Sequence, residues 1–337
     1  MGVYRLVLAY LVVFSHINNN IYGYNIGIVA VISFLLLSGF VMNALIRKYY
    51  LSFSAIPAFY LDRFVRLAPQ FYLYTVLTLI GAITLGLHHP WMTSVPSMWH
   101  TILQLSVVPL NFYRHYPSML LPQAWSLGLE AMFYAVFPFV LIFRIRIVVA
   151  LVSFSIFLLA YVGILDTDLY GYRYLPGTLF IFICGSWLES SEHKWEEDLP
   201  FVVSCISMIL LLLTYINPSL AVASNRSVLL GLIFGIPIVY FLKAVADRIK
   251  VTDIAGDLSY GIFLNHNLII GSIITFSSIR LSDIPIIPEI CGFLAVCVIS
   301  TILSYASFKM VEEPLIAWRR RLRNVRIANV AIQSTAR

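Results

Sequence analysis

The chemistry in this chain begins with two residues of its first apolar stretch. Arg5 and His16 stand eleven positions apart in the run from Met1 to Ile17. At about 100° per residue that interval is three turns plus about 20°, so both side chains share one face, about 16 Å apart along the axis. A charge well inside a lipid-spanning helix costs about 2.5 kcal/mol or more, so such a face is expected to turn toward a protein or water-filled interior. An imidazole there has two uses: it takes a proton as a general base, or it holds a transferred group as a nucleophile. The alternative is that Arg5 marks the cytoplasmic end of the span and His16 is a hydrogen-bonded packing residue.

Four further stretches carry polar groups where apolar ones are expected. Arg63 and Arg66 lie in FYLDRFVRLAPQFYLY, from Phe59 to Tyr74, at i,i+3 spacing on one side of a helix. Two guanidiniums so placed either fork onto phosphate oxygens or snorkel to lipid phosphates as positive-inside anchors, and Pro69 just beyond them marks a first-turn position or a kink. Ser126 and Glu130 are four apart in AWSLGLEAMFYAVFP, again on one face, with Trp125 at the level of an outer aromatic belt. Counted from opposite ends of their spans, Glu130 and His16 reach nearly the same depth, so the carboxylate either orients the imidazole and supports the imidazolium it becomes, or makes a structural helix-to-helix hydrogen bond. Ser38 and Gly39 close the second span as a small-residue pair that permits close helix approach, and SYGIFLNH, from Ser259 to His266, adds Tyr260 and a second mid-membrane histidine.

These residues must be positioned by membrane helices. The chain has 337 residues, 60% hydrophobic and only 11% charged, with a mean hydropathy of +0.89. That composition excludes a soluble globular domain, which carries about a quarter charged residues, and makes the fold class all-α and polytopic. Apolar windows predict about ten spans, near 3–19, 26–46, 67–87, 122–143, 147–164, 174–189, 200–217, 227–243, 257–279 and 289–310. The first is expected to remain as a span, because no small-residue cleavage site follows it. With the N-terminus in the cytoplasm, only Arg114, Arg173, Arg226 and Arg280 of the 22 lysines and arginines fall outside, and the bias places both termini in the cytoplasm.

A transmembrane domain is therefore expected over residues 1–318 and a basic cytoplasmic tail over 319–337. The net charge of +6 is then a matter of topology, and the tail is expected to lie against anionic lipid rather than nucleic acid. The outer loop from 88 to 121 carries four histidines, but their spacing makes no zinc motif, so no metal is expected; this aromatic segment instead covers or admits a substrate. Cys184, Cys205, Cys291 and Cys297 all sit in apolar runs and read as packing residues.

Taken together, Arg5-x10-His16, SGF at 38–40, RFVR at 63–66 with Pro69, WSLGLE at 125–130 with FY at 133–134, SYGIFLNH at 259–266 and SY…VEEP at 304–314 span nearly the whole chain. In this order the set resembles the acyltransferase-3 family of integral membrane acyltransferases, and in particular the members that O-acetylate surface or exported carbohydrates. The resemblance implies a ten-helix core in the bacterial inner membrane, which passes an acyl group, usually acetyl, from cytoplasmic acetyl-CoA to a hydroxyl of a polysaccharide, lipopolysaccharide or other glycan. It implies a catalytic role for His16, with Arg5 as its motif partner, donor binding by Arg63 and Arg66, and a functional Glu130. Ser38, Trp125, Ser126, Tyr260 and His266 are the further residues expected at the cavity.

The chain departs from that pattern in two ways. Many members carry an acidic residue ahead of SGF where this chain has Ile32, and no SGNH-type esterase domain follows the last span. The core itself, or a separate partner protein, is then expected to deliver the group. A proton-coupled transporter or flippase of a lipid-linked glycan is the competing expectation, since buried His, Glu and Arg in ten spans also describe a carrier.

Overall fold

The structure, a computed structural model, describes residues 1–17, 21–92, 94–222, 224–246, 254–277, 286–319 and 321. Arg248, Lys250, Arg280 and most of the basic tail, to which the charge pattern assigned a side of the membrane, lie outside the described residues.

Every apolar window falls on a helix. The twelve α-helices among the described residues are α1 (Gly2–Ile17), α2 (Ile26–Tyr49), α3 (Ile56–Leu85), α4 (Met98–Leu105), α5 (Trp125–Ile142), α6 (Arg146–Tyr161), α7 (Thr167–Tyr172), α8 (Leu175–Glu189), α9 (Leu199–Ile216), α10 (Asn225–Ala246), α11 (Ile254–Ser277) and α12 (Ile286–Ser307). Short 3-10 turns join several of them, and no strand forms among the described residues. Seven of the helices are long and apolar enough to cross a bilayer by length and composition: α2, α3, α5, α9, α10, α11 and α12. The chain is a multi-pass membrane protein, because in hydrocarbon only a helix satisfies its own backbone hydrogen bonds segment by segment.

The middle of the bundle is α2, which packs against α1, α8 and α10 and touches α5. It is apolar on nearly all sides and buried accordingly, and Asn25 caps its start by accepting the Ile28 N–H at 3.1 Å. On one flank α1 packs against α11 and α12, and α11 also meets α3; on the other, α8 packs against α6 and α10 against α9. Gly2 lies beside Gly256 while His16 lies beside His266, so α1 and α11 run parallel.

The backbones of α2 and α8 approach closely, and this explains the glycine of the Ser38–Gly39 pair. A Cβ on Gly39 would fall 1.9 Å from the Phe182 carbonyl oxygen, and one on Gly185 would fall 1.9 Å from that of Leu36. With helix backbones on both sides, neither neighbour yields cheaply. Gly39→Ala is therefore expected to destabilise the protein by about 1–3 kcal/mol, the usual cost of overpacking. Thermal unfolding in detergent checks this, and an unchanged midpoint would contradict the packing described here.

Two sequence expectations are corrected here. The third span begins at Ile56, not near 67, so Arg63 and Arg66 lie inside α3 rather than ahead of it, and Pro69 stands in its interior rather than its first turn. Pro57 sits in the first turn, where its missing N–H costs nothing, and Phe59 and Asp62 are already buried, so the helix starts about three turns before the apolar window does. At the other end, helix continues beyond α12 through a π turn over Phe308–Glu312 and on to Arg319. Arg319, the first residue assigned to the tail, belongs to the folded body and meets Asp62 at 3.3 Å.

Candidate functional site

A cavity of about 350 Å³ opens between α1, α2, α3, α5 and α11. Seven of the ten residues singled out by sequence line it: Arg5, Ser38, Arg63, Arg66, Ser126, Glu130 and Tyr260. The i,i+3 spacing of the two α3 arginines and the i,i+4 spacing of Ser126 and Glu130 are what turn each pair toward the same space.

One end of this cavity is cationic. Arg63 pairs with its neighbour Asp62, lies 3.8 Å from the Met42 sulfur and stands over the Tyr134 ring at 6.0 Å. Arg66 pairs with buried Glu312, reaches Asp257 at 3.6 Å and lies 5.7 Å from the centre of the Tyr260 ring. Tyr260 is fixed in turn by donating to the Leu67 carbonyl at 2.8 Å. Arg319 completes the wall. Arg5 also faces the cavity, and it makes no ion pair among the described residues. The VEEP glutamate Glu312 is thus a partner of Arg66, and what remains uncommitted is the charge of Arg5.

Deeper in the cavity, Glu130 accepts from the Ser38 hydroxyl at 2.7 Å and from the Tyr134 hydroxyl. The expected pairing of Glu130 with His16 does not form. Depth along two spans says nothing about azimuth: α5 packs against α2, α3 and α8, so the carboxylate meets Ser38 on α2, whereas α1 packs against α2, α11 and α12. Tyr134 escaped notice as a polar group because it reads as one of many aromatics; its place four residues after Glu130 was the available signal.

His16 stands outside this cavity, in a second cluster. Its ring centre lies 4.8 Å from that of His266 and 5.4 Å from the Trp91 ring. His16 Nδ1 lies 2.9 Å from the Val12 carbonyl oxygen and His266 Nδ1 lies 3.2 Å from that of Ile262. A carbonyl only accepts, so in each ring Nδ1 carries the proton and Nε2 keeps its lone pair. Phe263 and Phe34 separate the two clusters. Both line the cavity, 6.3 Å apart, and Phe263 is 6.2 Å from the His266 ring. His266 is fully buried and, like His16, is absent from the cavity wall.

Trp91 and His89 come from the histidine-bearing loop, where sequence gave no reason to prefer them. Burial pushes the His89 imidazole down to about 4, so it is neutral near pH 7 and its Nδ1 accepts the Trp91 backbone N–H at 3.2 Å. Trp91 is fixed again where its carbonyl accepts the Met119 N–H at 3.1 Å. Trp125 packs its ring on the Arg173 guanidinium at 4.5 Å and against Tyr172. Nearby, Arg114 holds the Asp166 carboxyl below the usual carboxylate range, tying the loop around Tyr113 to the start of α7.

The remaining motif residues serve the helix seams. Ser304 donates to the Leu258 carbonyl at 2.8 Å, against Gly261, where a Cβ would meet its hydroxyl. Asn265 donates to the Ser300 carbonyl at 3.0 Å. Ile32, where many family members carry an acid, is fully buried and wedged against Gly231 of α10. In this chain that position belongs to an apolar seam, not to the cavity.

A family model described as an acyltransferase domain, that of acyltransferase-3, matches residues 3–309. The chain belongs to the acyltransferase-3 family. It is a membrane acyltransferase, and all ten candidate residues fall within the matched range. A relative from Aquifex aeolicus (strain VF5), described as an uncharacterized protein, is 35% identical over 157 residues, covering 45% of this chain and 71% of its own. No solved structure matches.

Proposed function

We propose that this membrane acyltransferase moves an acetyl group from acetyl-CoA to a hydroxyl of a polysaccharide, lipopolysaccharide or other glycan. The observation that carries this reading is the pairing of a cationic cavity with a fixed imidazole beyond it. Coenzyme A concentrates its charge in phosphates at one end and carries the thioester on a long thin arm at the other. The phosphates suit Arg5, Arg63 and Arg66, since guanidinium forks bind phosphate oxygens with both charge and geometry. The arm then runs past Ser38 and Glu130 toward Phe263 and His16.

In this reading ten helices span the bilayer, both termini are cytoplasmic, and the arginine end of the cavity faces the donor pool. The parallel course of α1 and α11 fits two odd-numbered spans. The protein sits in the bacterial inner membrane, the donor enters from the cytoplasm, and the acceptor approaches from the histidine side. His16 Nε2 takes the hydroxyl proton as the acceptor oxygen attacks the thioester carbon; the carbon–sulfur bond breaks and the proton passes to the departing thiolate. The basic residues after Arg319 are read as facing the cytoplasm, against anionic lipid.

Mass spectrometry of the host's surface glycans, with and without the protein, tests the reaction. An added acetyl mass that depends on the protein is expected; identical glycan masses would remove the proposal. Glu130 has its own test, since it holds two hydroxyls and does not touch His16. Glu130→Gln is expected to slow transfer by about tenfold, the loss of about 1.4 kcal/mol of organisation, without moving the pH dependence of the rate. A displaced pH profile would show that the carboxylate acts on the imidazole after all.

A further inference from the structure

We infer that His266 is a positioning residue that shares the proton His16 takes up during transfer. This rests on the reading of His16 as the base. His266 is fully buried, and its Nε2 has no hydrogen-bond partner. A buried acceptor without a donor is destabilising, which calls for an explanation. Its Nδ1–H is committed to the Ile262 carbonyl, so the ring is held in one tautomer with the lone pair on Nε2.

The nearest imidazole is held in the same tautomer. His16 directs its own Nδ1–H at Val12, and the two ring centres are 4.8 Å apart. At rest both Nε2 atoms are acceptors, so no hydrogen bond can join them. That changes when the acceptor oxygen attacks. The O–H bond breaks, its proton arrives on His16 Nε2, and a donor now exists beside the unpaired Nε2 of His266. The pair holds one proton between two lone pairs until the coenzyme A thiolate takes it, so no proton is gained or lost overall.

Two other charged or titratable groups act on this pair. His89, from the loop, faces both imidazoles and is neutral near pH 7 because of its burial. Arg173, from the segment after α7, acts on His16 as a fixed positive charge. The other rings at the pair, Trp91 and Phe263, carry no charge. No carboxylate hydrogen-bonds or ion-pairs with either imidazole among the described residues, which leaves His266 as the group placed to support the imidazolium.

Three substitutions separate this role from packing. His266→Asn keeps a donor near the position of Nδ1, able to reach the Ile262 carbonyl, but has nothing at Nε2. His266→Gln places an amide oxygen near Nε2, able to accept from the protonated His16. His266→Phe keeps only the ring. Membranes carrying the full chain are supplied with acetyl-labelled acetyl-CoA, and label entering their own glycan fraction is followed across the neutral pH range.

Gln is expected to retain most of the rate. Asn and Phe are expected to lose about tenfold to a hundredfold, with the acid limb of the profile moved to lower pH by about one unit, because an unshared proton is held less firmly. Equal rates in Gln and Asn, or an acid limb that stays in place in Asn and Phe, would overturn the inference while leaving His16 as the base. His16→Ala transferring as well as the wild type would instead overturn the reading on which it rests.

Discussion

His16→Ala is expected to leave no more than about a hundredth of the wild-type transfer rate, while the protein still reaches the membrane and keeps its fold. A positioned general base contributes about 10²–10⁴-fold, and here the ring is held ready: Nδ1–H bonds Val12 and Nε2 keeps its lone pair. The fold should tolerate the change, because His16 is the penultimate residue of α1 and makes no hydrogen bond that joins two helices. The measurement is acetyl label reaching glycan at equal protein level in the membrane. Retention of more than about a tenth of the rate would remove His16 from the mechanism, since no general base is worth so little.

The second large effect is on donor binding, and the arginines divide into two kinds. Arg5 has no ion-pair partner among the described residues, so Arg5→Gln removes charge from the cavity and strands no carboxylate. It is expected to weaken coenzyme A binding by about tenfold to a hundredfold, since a charge-assisted hydrogen bond is worth about 1.5–3 kcal/mol, with thermal stability unchanged. Arg66→Ala by itself is a poor probe. It leaves Glu312, 1% exposed, as an uncompensated buried charge, at a cost of about 3–5 kcal/mol in stability.

Arg66→Ala combined with Glu312→Gln avoids that penalty and is expected to fold. The double variant should weaken coenzyme A at least as much as Arg5→Gln does, and Arg63→Lys should weaken it too, because an ammonium keeps the charge but loses the fork. Calorimetric titration of the detergent-solubilised protein with coenzyme A measures all three. Wild-type affinity in Arg5→Gln and in the double variant would reduce the arginines to topological anchors.

Much of this protein was legible without its structure, for identifiable reasons. Lipid leaves few options for a backbone, so apolar windows of about twenty residues had to be helices, and each falls on one. Helical periodicity is equally strict at short range: Arg63 with Arg66, and Ser126 with Glu130, had to share a face, and both pairs line one cavity. The ordered motifs carried the family, which the match over residues 3–309 shows.

What the chain order could not specify is which helix faces which. Arg5 and His16 share a face of α1, yet Arg5 looks into the cavity and His16 does not, because Phe34 and Phe263 from other helices stand between the two ends. Glu130 and His16 count to similar depths along their spans, yet the carboxylate goes to Ser38 and Tyr134 and the imidazole to His266, because α1 packs on α11 while α5 packs on α2. Depth is additive along one helix and can be counted in residues. Azimuth and partner choice depend on contacts between residues far apart in sequence, such as the Gly39–Phe182 seam that seats α2 against α8, and only tertiary packing decides them.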